Sequence, residues 1–132
     1  MSKLFTYGSL MCEDIMARVA RGHFPATPAT LSGYARQTMK KATYPGLRPQ
    51  SNAVTKGIVY SQLTPQAFHH LDMFEGSMYD RIQVTVKLEN KLPTSAYVYV
   101  TRAVYHRYLK KEDWDFGAFV TLHKHQFVKD MF

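Results

Sequence analysis

Residues 64–88 read TPQAFHHLDMFEGSMYDRIQVTVKL, a change from helical to strand periodicity inside one segment. Thr64 offers a hydroxyl N-cap, and Pro65 suits the first helical position, where its missing N–H costs nothing. Ala67, Leu71 and Phe74 recur at helical spacing, with Phe68 beside them. Gly76 is placed to end that helix in the left-handed conformation. From Tyr79 to Leu88 the period becomes two. Ile82, Val84, Val86 and Leu88 share one face, which predicts a half-buried strand.

Working outward, Lys3 to Tyr7 predicts a first strand ending at Gly8-Ser9. Cys12 to Ala20 predicts a helix on the spacing of Ile15, Met16, Val19 and Ala20, with Gly22 as its stop. Pro25 and Pro28 punctuate the chain, and Thr30 to Met39 predicts a strand bent at Gly33. Tyr44 to Asn52 holds Pro45, Gly46, Pro49 and Asn52 and reads as a loop. Ala53 to Leu63 predicts a strand, as does Ser95 to Thr101, with Tyr97 and Tyr99 opposite Ala96 and Val98. Asp113 to Phe132 predicts a helix with Phe116, Phe119, Val120, His123, Phe127 and Val128 along one side. The order predicts an α+β fold in a single domain, residues 1–132. Its sheet is mixed, mostly antiparallel and curled toward a barrel, with helices packed outside.

Composition narrows the function classes. A hydrophobic share of 45% over 132 residues is that of a globular chain. Cys12 is the one cysteine, so no intramolecular disulfide forms and no metal site rests on thiolates alone. Met1 to Phe5 leads straight into a strand, and no long apolar run follows; the expectation is neither signal peptide nor membrane span, and a cytoplasmic protein. The net charge is +7, but the Lys and Arg are scattered, with doublets only at Lys40-Lys41 and Lys110-Lys111. That scatter argues against a nucleic-acid partner. It reads first as solvated surface and second as an attractor for a carboxylate-bearing small molecule. His69-His70 are adjacent on a helix and point apart, so they do not jointly grip a metal. No phosphate-binding glycine loop and no catalytic triad signature is present.

Three segments stand out for chemistry, the third and weakest being the rigid aromatic loop Tyr44-Pro45-Gly46-Leu47 with the later Glu112-Asp113-Trp114. At Tyr7-Gly8-Ser9-Leu10 a strand runs through Gly-Ser into a helix, leaving N–H donors that suit an anion; on these residues alone an ordinary turn stays open. Glu75 sits at the C-terminal end of its helix, where the dipole disfavours a negative charge. If buried, it has a raised pKa; if not, it is a surface residue beside a cap. Arg81 follows Tyr79 on the same strand face, as a carboxylate partner or a surface charge. The ordinary reading of the third is loop and core packing.

Taken in order, YGSL after the first strand, Gly33-Tyr34, the YPGL segment and Gly57-x-Val59-Tyr60 are followed by LDxFEGxxYxR, Ala96-Tyr97-Val98-Tyr99 and Asp113-Trp114. Over about Lys3 to Trp114 this resembles the γ-glutamylcyclotransferase-like family, including the AIG2-like proteins and γ-glutamylamine cyclotransferases. The resemblance implies a small barrel-like fold. It implies that Tyr7, Gly8, Ser9 and Leu10 hold the glutamyl end of a substrate, that Glu75 is the acid/base, and that Tyr79 borders the pocket; Arg81 belongs to the same motif. The implied reaction is attack of a γ-glutamyl α-amine on its own γ-carbonyl, releasing 5-oxoproline and an amine or peptide, without metal or organic cofactor. The alternative from another class is a non-catalytic module that holds a small anion on the same fold.

Overall fold

A computed structural model describes residues 2–132. Six strands are β1 (Ser2–Thr6), β2 (Ala26–Met39), β3 (Pro45–Leu63), β4 (Tyr79–Leu88), β5 (Pro93–Thr101) and β6 (Leu109–Asp113). The helices are α1 (Glu13–Ala20), α2 (Pro65–Glu75), α3 (Phe116–Ala118) and α4 (Lys124–Met131). The sheet runs β3-β1-β5-β4-β2-β6, and a further β3–β2 pairing closes the first five strands into a barrel. Only β1 and β5 pair in parallel; every other pairing is antiparallel. No helix among the described residues is long and apolar enough to cross a membrane.

Strand alternation divides the core in two. Phe5, Leu31, Leu47, Val59, Val86 and Val98 form one buried cluster. Their sequence neighbours Leu4, Tyr60 and Tyr99 turn to the other face, where they meet Ile15, Met16 and Val19 of α1, Phe68 and Leu71 of α2, and Phe119 and Phe127 of the C-terminal segment. Burying each such side chain stabilises the fold by roughly 1.5–3 kcal/mol. Lys124 reaches Asp14 at 3.0 Å and ties α4 to α1.

The helix-to-strand segment folds as its periodicity predicts. Thr64 Oγ1 accepts from the N–H of Ala67 at 3.1 Å, with Pro65 at the first turn. Gly76 ends α2 as expected, but at φ 78°, ψ −164° and not in the left-handed conformation the sequence predicts; the stop still needs glycine, because only glycine occupies that region freely. β4 covers Tyr79–Leu88, and it pairs with β5 from Tyr79↔Thr101 to Lys87↔Pro93. The bend expected at Gly33 is a register shift between Ser32 and Tyr34.

Four further expectations are corrected. Residues 44–52 are not a loop: from Pro45 onward they begin β3, with Thr38↔Pro45 and Tyr34↔Pro49 in register. β2 starts at Ala26 and carries Pro28 within it. α1 is closed by Arg21 at φ 59°, and the N–H of Gly22 then donates to the Ala17 carbonyl at 3.1 Å. The C-terminal region is not one helix from Asp113. Leu109–Asp113 is a strand, α3 begins at Phe116, and a π-helical turn at Phe119–His123 separates it from α4. That turn rotates the following face, so Val120 and His123 point outward while Phe119 and Phe127 stay buried.

Candidate active site

β1 hands the chain to a short 3₁₀ turn, Ser9–Met11, through Gly8. A side chain at Gly8 would press a Cβ to within 2.9 Å of Pro45 Cδ, so glycine is what lets the start of β3 pack against this turn. The turn closes on itself through Met11 N–H to the Gly8 carbonyl at 3.0 Å and Cys12 N–H to the Ser9 carbonyl at 3.1 Å. The N–H groups of Gly8, Ser9 and Leu10 themselves donate to no acceptor among the described residues.

Across from this turn lies the end of α2. Tyr7, Gly8, Ser9, Leu10, Glu75 and Tyr79 line one small cavity of about 40 Å³, although 65 positions separate Leu10 from Glu75. Phe5, Thr6, Tyr44, Pro45 and Tyr99 complete its wall. Sequence reasoning missed Tyr44, Pro45 and Tyr99 as lining residues. The YPGL segment and Ala96-Tyr97-Val98-Tyr99 belong to the motif order that carries the resemblance, but neither is assigned to the pocket from sequence; what brings them here is barrel closure.

Three tyrosines hold the wall in place. Tyr7 OH donates to the Tyr99 carbonyl at 2.6 Å, and Tyr79 OH donates to the Pro45 carbonyl at 2.9 Å. Tyr99 OH donates to Asp72 Oδ1 at 2.7 Å. Burial first, and then the neighbouring Tyr79 and Glu75, keep the Tyr7 phenol protonated far above its ordinary range. Tyr79 and Tyr99 are raised as well, chiefly by burial. The wall is therefore neutral and hydrogen-bonded, which suits a site that must not trap charge of its own.

Glu75 is the exception. It is half-buried, and no side-chain hydrogen bond or ion pair reaches its carboxyl among the described residues. Burial, and secondarily the Asp72 carboxylate, push it from 4.5 up to about 8. A carboxyl with that affinity for protons takes and returns one near neutral pH.

Arg81 does not join the cavity. Its Nε and Nη2 donate to the two oxygens of Asp72 at 2.9 and 3.2 Å, and its guanidinium stacks over Phe68 and Tyr97 at 4.4 and 4.8 Å. The alternation that puts Arg81 on the Tyr79 face is correct, but α2 covers that face two residues further along. Arg81 is thus a partner for Asp72, and it is not among the residues that line this cavity.

This geometry has close relatives. The model of the family described as gamma-glutamyl cyclotransferase, AIG2-like, matches residues 4–116. The AIG2-like protein D of Arabidopsis thaliana is 33% identical over 140 residues, spanning 98% of this chain and 86% of its own. An Arabidopsis thaliana protein whose structure was solved in solution superposes with a TM-score of 0.76 at 27% identity, covering 98% of this chain and 87% of the other. A yeast γ-glutamyl cyclotransferase specific to glutathione shares the fold, with a TM-score of 0.66 at 17% identity over 84% of this chain and 73% of its own. With the family match running from β1 to the start of α3, and an AIG2-like relative one-third identical over nearly the whole chain, the chain belongs to the family described as gamma-glutamyl cyclotransferase, AIG2-like.

Proposed function

We propose that the protein is a cyclotransferase that releases 5-oxoproline from a γ-glutamyl substrate, with Glu75 as general acid and base. The observation that carries the reading is the pairing of an unbonded carboxyl, raised to about 8, with unpaired backbone donors at Gly8–Leu10 on the same small cavity.

The substrate supplies its own nucleophile. Its α-amine attacks its own γ-carbonyl, a five-membered ring closes, and the γ-amide C–N bond breaks. Tethering is worth an effective molarity on the order of 10⁵–10⁸ M when the pair is well oriented. What remains for the protein is proton traffic and charge on oxygen. The α-amine, titrating near roughly 7.7–8.0, must lose a proton to attack. Glu75 takes that proton and returns it to the departing nitrogen. The N–H groups of Gly8, Ser9 and Leu10 bind the α-carboxylate or the oxyanion. The hydrogen-bonded tyrosines exclude water and fix the outline of the cavity. No oxidant, metal or external nucleophile enters the balance.

The test is a screen of γ-glutamyl amines, γ-glutamyl dipeptides and glutathione for 5-oxoproline release. Release by the wild type and its loss in a folded Glu75→Gln protein support the reading. A wild type silent across the panel would leave the anion-binding module.

A further inference from the structure

The cavity beside Glu75, about 40 Å³, is too small to enclose a whole γ-glutamyl substrate. Whatever amine departs must lie outside it. Beside it, sharing a wall residue, is an open groove of about 340 Å³ whose walls include Lys40, Lys41, Tyr44, Met78, Tyr105 and Tyr108. The two spaces share Tyr44, which lines both. Met78 of the groove is followed directly by Tyr79 of the cavity, and Tyr44 of both by Pro45, whose carbonyl accepts from Tyr79 OH at 2.9 Å.

The groove is built, and it has a chemical character. Lys41 takes φ 59° at the β2–β3 turn, an uncommon conformation for lysine, and the N–H of Lys40 donates to the Tyr108 carbonyl at 2.8 Å. These features tie the turn to the 103–108 segment. Tyr105 and Tyr108 stand 6.3 Å apart between ring centroids, and Arg107 stacks on Tyr108 at 4.9 Å while donating to its hydroxyl at 3.1 Å. Lys40 and Lys41 are exposed, neither pairs with a carboxylate among the described residues, and no acidic side chain lines the groove.

We propose that this groove receives the leaving group, and that the leaving group has an aromatic body and a free carboxylate. The substrate class is then a γ-glutamyl dipeptide whose second residue is aromatic. The tyrosines and Met78 take the ring, and the two unpaired ammonium groups take the carboxylate. A leaving group that ends in an ammonium meets like charge instead. This inference rests on the cyclotransferase reading, and the reaction balances as before: the α-amine proton passes through Glu75 to the nitrogen of the departing aromatic amino acid.

The experiment compares kcat/KM for 5-oxoproline release from γ-glutamyl-phenylalanine, γ-glutamyl-phenethylamine and ε-(γ-glutamyl)-lysine. A parallel calorimetric titration of the same three compounds into Glu75→Gln reads binding alone. The dipeptide is expected to lead the carboxylate-free amine by roughly fivefold to tenfold, the worth of two exposed charge contacts. A folded Lys40→Ala/Lys41→Ala double variant should lose that lead, and Lys40→Arg/Lys41→Arg should keep it. Turnover in which the amine or the lysine conjugate equals the dipeptide overturns the groove assignment and leaves the cyclotransferase standing. Binding in the expected order with no turnover overturns the cyclotransferase and keeps the groove as a site for aromatic carboxylates. Neither turnover nor ordered binding overturns both.

Discussion

Asp72 and Glu75 stand three positions apart on α2, and their surroundings separate them completely. Asp72 accepts three hydrogen bonds, two from Arg81 and one from Tyr99. Glu75 accepts none among the described residues and lines the cavity together with the Gly8–Leu10 turn. Both lie in the last turn of the helix, where the dipole disfavours negative charge. The difference is therefore not intrinsic to the residue type or to the helix. It comes from which face of α2 each occupies: Asp72 meets Arg81 across the β4 side, while Glu75 points into a wall of neutral phenols. The fixed carboxylate also acts on the free one, since the Asp72 charge is the second reason, after burial, that Glu75 holds its proton up to about 8. One carboxyl organises the wall, and the other is the one to which we assign the chemistry.

The comparison is broken most severely at Glu75 itself. Glu75→Gln keeps size and hydrogen-bonding reach but removes proton transfer, so 5-oxoproline release should fall roughly 10²- to 10⁴-fold. Binding should change little, because the anion contacts come from the turn. The same variant alters stability in a pH-dependent way. Glu75 has a folded pKa raised above its unfolded one, so the native state binds the extra proton and stability falls as pH rises from about 4.5 to about 8. Glutamine lacks that loss. The unfolding free energies of the two proteins should converge below pH 4 and diverge through that window, by on the order of 2 kcal/mol once partial exposure is allowed for, and their melting temperatures should separate accordingly. Differential scanning calorimetry across that range reads the divergence.

Asp72→Asn is the smaller perturbation. The ion pair is part-exposed, with side chains 44% and 28% accessible, so breaking it costs roughly 1 kcal/mol. Its more telling effect is on Glu75: with the Asp72 charge gone, the rising limb of the pH–rate profile should move to lower pH. A limb that stays in place would mean burial alone sets the Glu75 proton affinity.

Much of this contrast was legible in the sequence, and the missing parts have physical reasons. The cap at Thr64-Pro65, the stop at Gly76 and the alternation of Ile82 to Leu88 are local signals, and they set α2 and β4. They also put Glu75 at a helix end. What local signals omit is partnership. Nothing near Arg81 says that its carboxylate partner is Asp72 rather than a ligand, because that choice depends on α2 crossing β4. The first part of β3 was hidden by Pro45, Gly46 and Pro49. These prolines are tolerated because that stretch has only β2 as a paired neighbour, and the N–H of Leu47 goes to the Thr101 hydroxyl at 3.1 Å instead of to another strand. β6 was hidden by its charge: Lys110, Lys111, Glu112 and Asp113 suit an edge strand, not a core one. The missed strands are the ones that carry Tyr44 and Pro45 to the cavity or flank the groove, so the site was half visible for the same reason that the barrel was.

The most direct test of the contrast is a side-chain carboxyl titration by NMR, following Asp72 and Glu75 in one ¹³C-labelled sample from pH 3 to pH 10. The account predicts that Glu75 titrates near 8, and that its midpoint moves down in Asp72→Asn. A Glu75 midpoint at 4 to 5, the ordinary range for a solvated glutamate, would contradict it.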